Sequence, residues 1–102
     1  MAASDPGMPD PADAQPRTMT FLTFLRGLAN EALIQFGSIP HPLTGERSVN
    51  LPYAAATVEI LGILLDKSEG RRTPEEDEYL RTVVKSLGER LAKARAESAG
   101  TP

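Results

Sequence analysis

The chain contains neither cysteine nor tryptophan, and aromatic residues make up only 5% of its 102 positions. Without cysteine it forms no disulfide and no thiolate zinc site, so helix packing or self-association must hold the domain together. The lack of cysteine also favours the cytoplasm, where disulfides are rare. A domain of this length buries only about 60 to 65% of its unfolded surface, which leaves little room for a deep substrate cavity. The sequence therefore predicts a helper or interaction module rather than an enzyme.

Signals for export and for membrane insertion are also missing. The first sixteen residues include no lysine or arginine and no apolar stretch, unlike a secretory signal. The longest strongly apolar run, over residues 60–65, is six residues long, whereas a bilayer span needs roughly 20. The glycines are scattered and show neither Walker nor dinucleotide-binding spacing. We therefore expect no export, no membrane span and no cofactor.

The net charge is concentrated at the N-terminus. Three aspartates in the first thirteen residues account for the whole formal net charge of -3, and the rest of the chain is neutral. Four prolines among small and acidic residues leave this segment without enough apolar area to offset the entropy cost of ordering. We predict a disordered acidic, Pro/Ala-rich tail over residues 1–17, one helical domain over residues 18–97 and a frayed C-terminus over residues 98–102.

Apolar residues after the tail recur at helical spacing in three segments, and no segment alternates with a period of two. This pattern predicts an all-α fold. The first helix is predicted to begin at Thr18 or Thr20 and to end at Phe36, with Gly37 as its C-cap residue.

The second helix is predicted to begin near Asn50, to end at Lys67 or Ser68, and to be closed by Gly70. It carries two apolar stripes on largely different sides. One stripe is suited to a core within the chain, and the other requires a second partner. We predict that the second stripe forms a homodimer interface, and its residues are Tyr53, Ala56, Ile60, Ile63 and Leu64.

The third helix has a complete set of start signals. Thr73 is placed as the N-cap, Pro74 occupies the first helical position, and Glu76 completes a capping box. The helix then follows an apolar seam to about Ala96. The spacing of the seam alternates between four and three residues, and its members are Leu80, Val84, Leu87, Leu91 and Ala94.

The two connections between the helices differ in length. Only about four or five residues separate the second and third helices, which predicts an antiparallel hairpin. The connection from Ser38 to Asn50 is long enough to span a helix at roughly 3.3 Å per residue, so the direction of the first helix stays open. This loop is either a ligand-binding segment or a spacer that spans the bundle, and both interpretations stay open.

His41 is the only histidine and therefore the first candidate for proton transfer or metal binding. Thr44, Glu46 and Ser48 are near it in the loop, but the sequence shows no zinc-ligand spacing and no catalytic-triad pattern. The alternative is a surface residue between two prolines. We assign no catalytic, cofactor-binding or metal-binding residue.

Seven basic residues in the last third of the chain suggest phosphate binding. Acidic residues, among them Asp77 and Glu89, are interleaved with them, which is typical of a solvated helix face with ion pairs. We therefore expect no nucleic-acid partner. The basic residues are Arg71, Arg72, Arg81, Lys85, Arg90, Lys93 and Arg95.

The second helix and the turn after it carry recognisable motifs. Residues 58–61 read Val-Glu-Ile-Leu, residues 65–70 read Leu-Asp-Lys-Ser-Glu-Gly, and residues 73–76 read Thr-Pro-Glu-Glu. In this order they resemble the bacterial domain-of-unknown-function family eighteen-forty-four, although its Lys-Thr-x-Gly-Asn-Leu turn differs here at three positions. The resemblance extends from Thr20 to Leu91. It implies a small helical protein without an assigned activity.

These patterns favour a cytoplasmic helical interaction module that self-associates as a dimer and binds a client protein. The alternative is a small accessory protein that binds RNA or a small ligand. Co-purification with and without nuclease treatment distinguishes an RNA-mediated contact from a protein contact, because only the former depends on nucleic acid.

Overall fold

The computed structural model of the protein describes residues 19–99. The predicted tail over residues 1–17 lies outside this range, as do residues 100–102 of the predicted frayed end. The described part contains three helices and no strand: α1 (Phe21–Gln35), α2 (Leu51–Lys67) and α3 (Pro74–Ala99). None of these helices is both long enough and apolar enough to cross a membrane. The predicted all-α, three-helix fold is confirmed, and α3 continues past its predicted end.

Each helix begins where a side chain accepts a hydrogen bond from a free backbone N–H group of the first turn. Thr20 Oγ1 accepts from the N–H three residues later at 3.0 Å, and Asn50 Oδ1 does the same at 3.2 Å. At α3, Thr73 Oγ1 accepts from the Glu76 N–H at 3.1 Å. A Glu76 carboxylate oxygen accepts in return from the Thr73 N–H at 2.9 Å. These reciprocal bonds form a capping box.

Two glycines lie just beyond the ends of α1 and α2. Gly37 and Gly70 have φ angles of +76° and +81°, a region that favours glycine because it has no Cβ. At Gly37, the two backbone hydrogen bonds of a Schellman motif close α1, each 2.9 Å long. A Cβ at Gly37 would lie 2.9 Å from Val49 Cγ2 and 3.3 Å from the Ser48 carbonyl oxygen, so another residue here would displace Val49 and also adopt a strained φ.

Two hydrogen bonds place the end of α1 beside the start of α2. The Asn50 backbone N–H donates to the Gln35 carbonyl at 2.7 Å, and the Thr57 hydroxyl donates to the Gln35 side-chain oxygen at 2.7 Å. Because the last turn of α1 meets the first two turns of α2, the two helices run antiparallel. The direction that the sequence leaves open is thus set by a contact between distant residues.

Helix α3 is antiparallel to α2 and parallel to α1. Pro52 in the first turn of α2 lines the same groove as Arg95 near the end of α3, while a short connection joins the opposite ends. On the other side, the Arg26 guanidinium in the first half of α1 lies 5.7 Å from the ring centroid of Tyr79, near the start of α3. The predicted antiparallel hairpin of α2 and α3 is therefore present.

The loop from Ser38 to Asn50 leaves and re-enters the bundle at the same end. It does not span the length of a helix, so the interpretation of its length as a spacer across the bundle is wrong. The loop instead closes on itself: the Gly45 N–H donates to the His41 carbonyl, and the His41 N–H donates to the Glu46 carbonyl, both at 2.8 Å. It has the form of an Ω-loop, whose ends are close together.

The core lies where all three helices meet. Leu25, Leu61 and Leu80, one from each helix, are completely shielded from solvent. Thr57 is buried with them, and its hydroxyl lies within hydrogen-bond distance of the Gln35 side chain and of the carbonyl four residues earlier. The buried hydrophobic residues are Leu25, Ala29, Ala32, Phe36, Ala54, Leu61, Leu80, Leu87 and Leu91.

We predict that Thr73→Ala lowers the free energy of unfolding by about 1 kcal/mol, because it leaves the Glu76 N–H without its acceptor. Thr82→Ala is the matched control, since Thr82 is exposed within α3. Urea denaturation followed by circular dichroism measures both variants. Equal stability of the two variants would show that the capping box contributes nothing to the fold.

Candidate interaction surface on helix α2

Four apolar residues of α2 face away from the core, and together they form the outer stripe: Tyr53, Ala56, Ile60 and Ile63. Tyr53 keeps 64% of its surface exposed, Ile60 keeps 42% and Ile63 keeps 51%. The sequence predicts all four as interface residues. Leu64, the fifth predicted interface residue, is half-buried and packs against the core, because it lies on the flank of α2 that faces α1.

The outer stripe has the spacing of a coiled-coil seam. Its residues are separated by three, four and three positions, and Lys67 follows four positions later. Alternation of three and four keeps successive side chains on one line along a helix. Leu64 continues a second line with the same alternation, through Tyr53, Thr57 and Ile60. The spacing alone therefore does not separate Ile63 from Leu64, and the burial of Thr57 against α1 does.

Phe24 extends the exposed apolar surface from α2 onto α1. Its side chain is 43% exposed and lies eleven residues before Gln35, on the same flank of α1. Gln35 contacts both Asn50 and Thr57. Three turns back along the antiparallel α1, Phe24 therefore lies at the level of the last two turns of α2, between residues 61 and 68. The sequence does not predict Phe24 as part of the interface, because its position depends on the direction of α1. We call the outer stripe and Phe24 together the apolar face.

Arg72 is buried, although the sequence groups it with surface cations. Its side chain is only 2% exposed. The guanidinium donates to the Leu65 carbonyl at 2.7 Å and to Ser68 Oγ at 2.8 Å. It also pairs with Glu69 at 3.0 Å, and it forms two bonds of 3.0 and 2.8 Å with Asp77. This side chain, which we call the Arg72 clamp, ties the end of α2 to the first turn of α3.

Two cations of α3 also form ion pairs. Arg81 Nε donates to an Asp77 oxygen at 3.0 Å, and Lys85 Nζ pairs with Glu89 at 2.8 Å. The hydrogen bond from Arg72, and after it the one from Arg81, lowers the pKa of the Asp77 carboxyl below its ordinary value. The hydrogen bond to Glu89 raises the pKa of Lys85. In residues 19–99, carboxylates therefore already bind at least three of the seven cations that suggest phosphate binding.

His41 takes part in hydrogen bonds within its own loop. Its Nδ1 accepts from the Leu43 backbone N–H at 3.1 Å, and Thr44 Oγ1 accepts from the Glu46 N–H at 3.2 Å. Both acceptors are thus engaged in shaping the loop, whose apolar tip residue Leu43 is 88% exposed. In residues 19–99, no three His, Asp or Glu side chains are grouped closely enough to hold a metal ion.

A shallow groove runs between α1 and α3. One section, of about 280 Å³, is lined by Leu22, Arg26 and Tyr79. The next section, of about 320 Å³, shares Tyr79 and is lined by Leu33 and Arg90. The Arg26 guanidinium lies close enough to the Tyr79 ring for a cation–π contact. Glu75 and Glu78 also line the first section, so the groove combines apolar walls with two arginines and two carboxylates.

We predict that Arg72→Lys lowers the melting temperature by several degrees, whereas Arg71→Lys leaves it unchanged. A lysine ammonium lacks the planar, forked donors that allow Arg72 to bond to Leu65, Ser68 and Asp77 together. Arg71 is the matched control because its side chain is exposed. Thermal unfolding followed by circular dichroism measures both variants, and identical melting temperatures would show that the clamp does not stabilise the hairpin.

The lowered pKa of Asp77 predicts a dependence of stability on pH. The ionised carboxylate stabilises the folded state above the unfolded pKa of about 3.9, and this contribution is lost as the pH falls through the lower folded pKa. We predict that Asp77→Asn is less stable than the parent chain at neutral pH, and that the difference shrinks below about pH 4. Urea denaturation across this range measures the difference. A difference that stays constant into acid would contradict the role of the ionised carboxylate.

One known protein family matches the part of the chain that carries this surface. The family model described as Domain of unknown function (DUF1844) matches residues 18–93. No curated protein and no solved structure matches the chain. The matched range includes the apolar face, the Arg72 clamp and most of α3, and it confirms the resemblance that the sequence motifs indicate. The chain belongs to the domain-of-unknown-function family DUF1844.

Proposed function

We propose that the protein is a cytoplasmic helical interaction module, not an enzyme, and that it self-associates as a dimer through the apolar face. The observation that carries this proposal is the exposure of the outer stripe, where three large apolar side chains keep between 42% and 64% of their surface exposed. A helix with one buried side and a coiled-coil seam on another side is suited to two sets of neighbours. Helices α1 and α3 cover the buried side, and a second molecule is needed for the outer stripe.

The size of the apolar face fits the centre of a dimer interface. From the exposed fractions, the face presents roughly 300–400 Å² of apolar surface, taking about 150–250 Å² for a whole aromatic side chain. Two copies facing each other bury about twice that area, which is close to half of a standard interface of about 1,600 Å². Apolar area makes up just over half of ordinary interfaces. The apolar face therefore supplies most of the apolar area that such a dimer requires.

A second copy of the chain is the simplest partner for this surface. In a two-fold dimer the same patch contacts itself, so one self-complementary surface is sufficient. A regular seam is self-complementary, because its side chains fill the gaps between the side chains of an identical seam. A different protein would need a matching seam of its own.

The proposed client protein is assigned to the groove between α1 and α3. The flank of α1 that borders this groove carries Leu22 and Leu33, whereas Phe24 is on the opposite flank. The groove therefore stays open when the apolar face is covered. The cytoplasmic location of the module is proposed from its lack of cysteine.

The alternative is a small accessory protein that binds a ligand in the same groove. Arg26 lies over Tyr79, and Arg90 lies 5.9 Å from the ring centroid of Phe36. Glu75 and Glu78 line the same groove, so its apolar walls with charges of both signs favour a small, largely apolar ligand. RNA binding has less support, because carboxylates already bind Arg72, Arg81 and Lys85.

The test compares a lysine placed in the apolar face with a lysine placed outside it. Ile60→Lys brings two like charges into the dimer contact, and we predict that it raises the dimer dissociation constant about 100-fold, which corresponds to roughly 3 kcal/mol. Thr82→Lys is the matched control, since Thr82 is exposed on α3 and lies outside the apolar face. Light scattering at micromolar concentration measures the mass, and circular dichroism verifies that each variant is helical.

The proposal expects the parent chain and Thr82→Lys at twice the 11.0 kDa mass of one chain, and Ile60→Lys at the mass of one chain. A helical parent chain that stays monomeric at every concentration would rule out the dimer. A different protein would then be the better partner for the outer stripe. A dimer that survives Ile60→Lys would place the contact on another surface.

A further inference from the structure

The spacing of the outer stripe determines how two copies of α2 can pair. We propose that the dimer contains an antiparallel pair of α2 helices, with Tyr53 against Ile63 of the second copy and Ala56 against Ile60 of the second copy. The two-fold axis then passes between the levels of Ala56 and Ile60. This inference rests on the self-association proposed above, and it adds the direction and the register of the contact.

The two edges of the seam restrict which residues meet. Tyr53 and Ile60 lie on the edge nearer α1, and Ala56 and Ile63 lie on the other edge, because residues seven apart share an edge. A two-fold axis through an antiparallel pair keeps each edge on its own side of the contact. Two side chains at the same level then avoid collision only if they come from opposite edges. Each residue of one edge must therefore face a residue of the other edge.

One register satisfies this rule for the whole stripe. When Tyr53 faces Ile63, Ala56 faces Ile60, and all four residues of each copy meet an apolar partner. A shift by seven residues in one direction places Ala56 against Lys67. The opposite shift places Ile60 level with residues that precede α2. Each shifted register covers only half of the outer stripe. The register in which Tyr53 faces Ile63 therefore buries the most apolar area.

A parallel pair of α2 helices fits the stripe less well. It places every residue against its own copy, so that Lys67 faces Lys67 and the two charges repel. Two Ala56 methyl groups would also leave a gap between layers of larger side chains, whereas Ala56 against Ile60 makes the difference in volume between layers smaller. The antiparallel arrangement additionally places the positive end of each helix dipole beside the negative end of the other.

The antiparallel register also provides a contact for Phe24. Phe24 lies at the level of the last two turns of α2, where Ile63 faces Tyr53 of the second copy. The Tyr53 ring is 64% exposed and lies on the edge nearer α1, which is the side of Phe24. Aromatic pairs contribute beyond the area that they bury. The register thus covers the exposed ring on α1 together with the exposed stripe on α2.

Disulfide mapping tests the register, because the chain has no cysteine of its own. Tyr53→Cys and Ile63→Cys are prepared separately with tags of different mass, mixed, and oxidised at a concentration where light scattering shows dimers. The register predicts at least tenfold more cross-linked dimer in the mixture than in either variant alone. Two copies of the same substituted position lie about 15 Å apart along the helices, beyond the roughly 7 Å that a disulfide allows between Cα atoms.

A second pair, Ala56→Cys with Ile60→Cys, retains the Tyr53 and Ile63 side chains and is predicted to cross-link in the mixture. Two copies of either position lie only about 6 Å apart along the helices, so the tenfold contrast is expected for the first pair alone. Thr82→Cys mixed with either variant is the control for random collision. Dimers in which Tyr53→Cys cross-links to itself would overturn the antiparallel register in favour of a parallel one. If light scattering shows dimers but both mixtures give no more cross-linked product than the Thr82→Cys control, the register is overturned as well. Monomers throughout would instead refute the self-association on which the register rests.

Discussion

Helix α2 lies between α1 and α3, and the contacts with both neighbours fix its rotation about its own axis. Ala54, Thr57 and Leu61 are buried between the other two helices, and the hydrogen bond from Thr57 to Gln35 sets the rotation relative to α1. With this rotation the outer stripe must face away from the core. A seam in that position cannot be covered by the two helices that already pack against the other side of α2. The proposed dimer is a consequence of this constraint.

Both ends of α2 are tied to the rest of the chain. The last carbonyls of a helix lack partners within it, and the Arg72 clamp donates to one of them, at Leu65, while Asp77 balances its charge. At the other end, the Asn50 N–H donates to the last residue of α1. The outer stripe is therefore presented by a helix that is held at both termini. Such preorganisation lowers the entropy cost of binding a partner.

The sequence predicts what depends on neighbouring residues and misses what depends on distant ones. The three helices and the Thr73 capping box follow from signals within one or two turns. The direction of α1 depends on the contact between Asn50 and Gln35, across a loop whose ends could lie at either end of the bundle. The burial of Arg72 depends on acceptors from two helices, and the position of Phe24 depends on how α1 aligns with α2. On α2 the sequence pattern therefore identifies four exposed apolar residues and adds the half-buried Leu64, and it gives no sign of the exposed Phe24 on α1.

The central claim, that the second copy covers the outer stripe, is tested most directly at Tyr53 itself. The chain has no tryptophan and two tyrosines, so Tyr79→Phe leaves Tyr53 as the only tyrosine fluorophore. Quenching of its fluorescence by acrylamide is measured across the protein concentrations at which light scattering shows the mass to double. The account predicts that the quenching constant falls severalfold as the dimer forms. A dimer in which Tyr53 is quenched as strongly as in the monomer would contradict the account, because the second copy would then be bound to another surface.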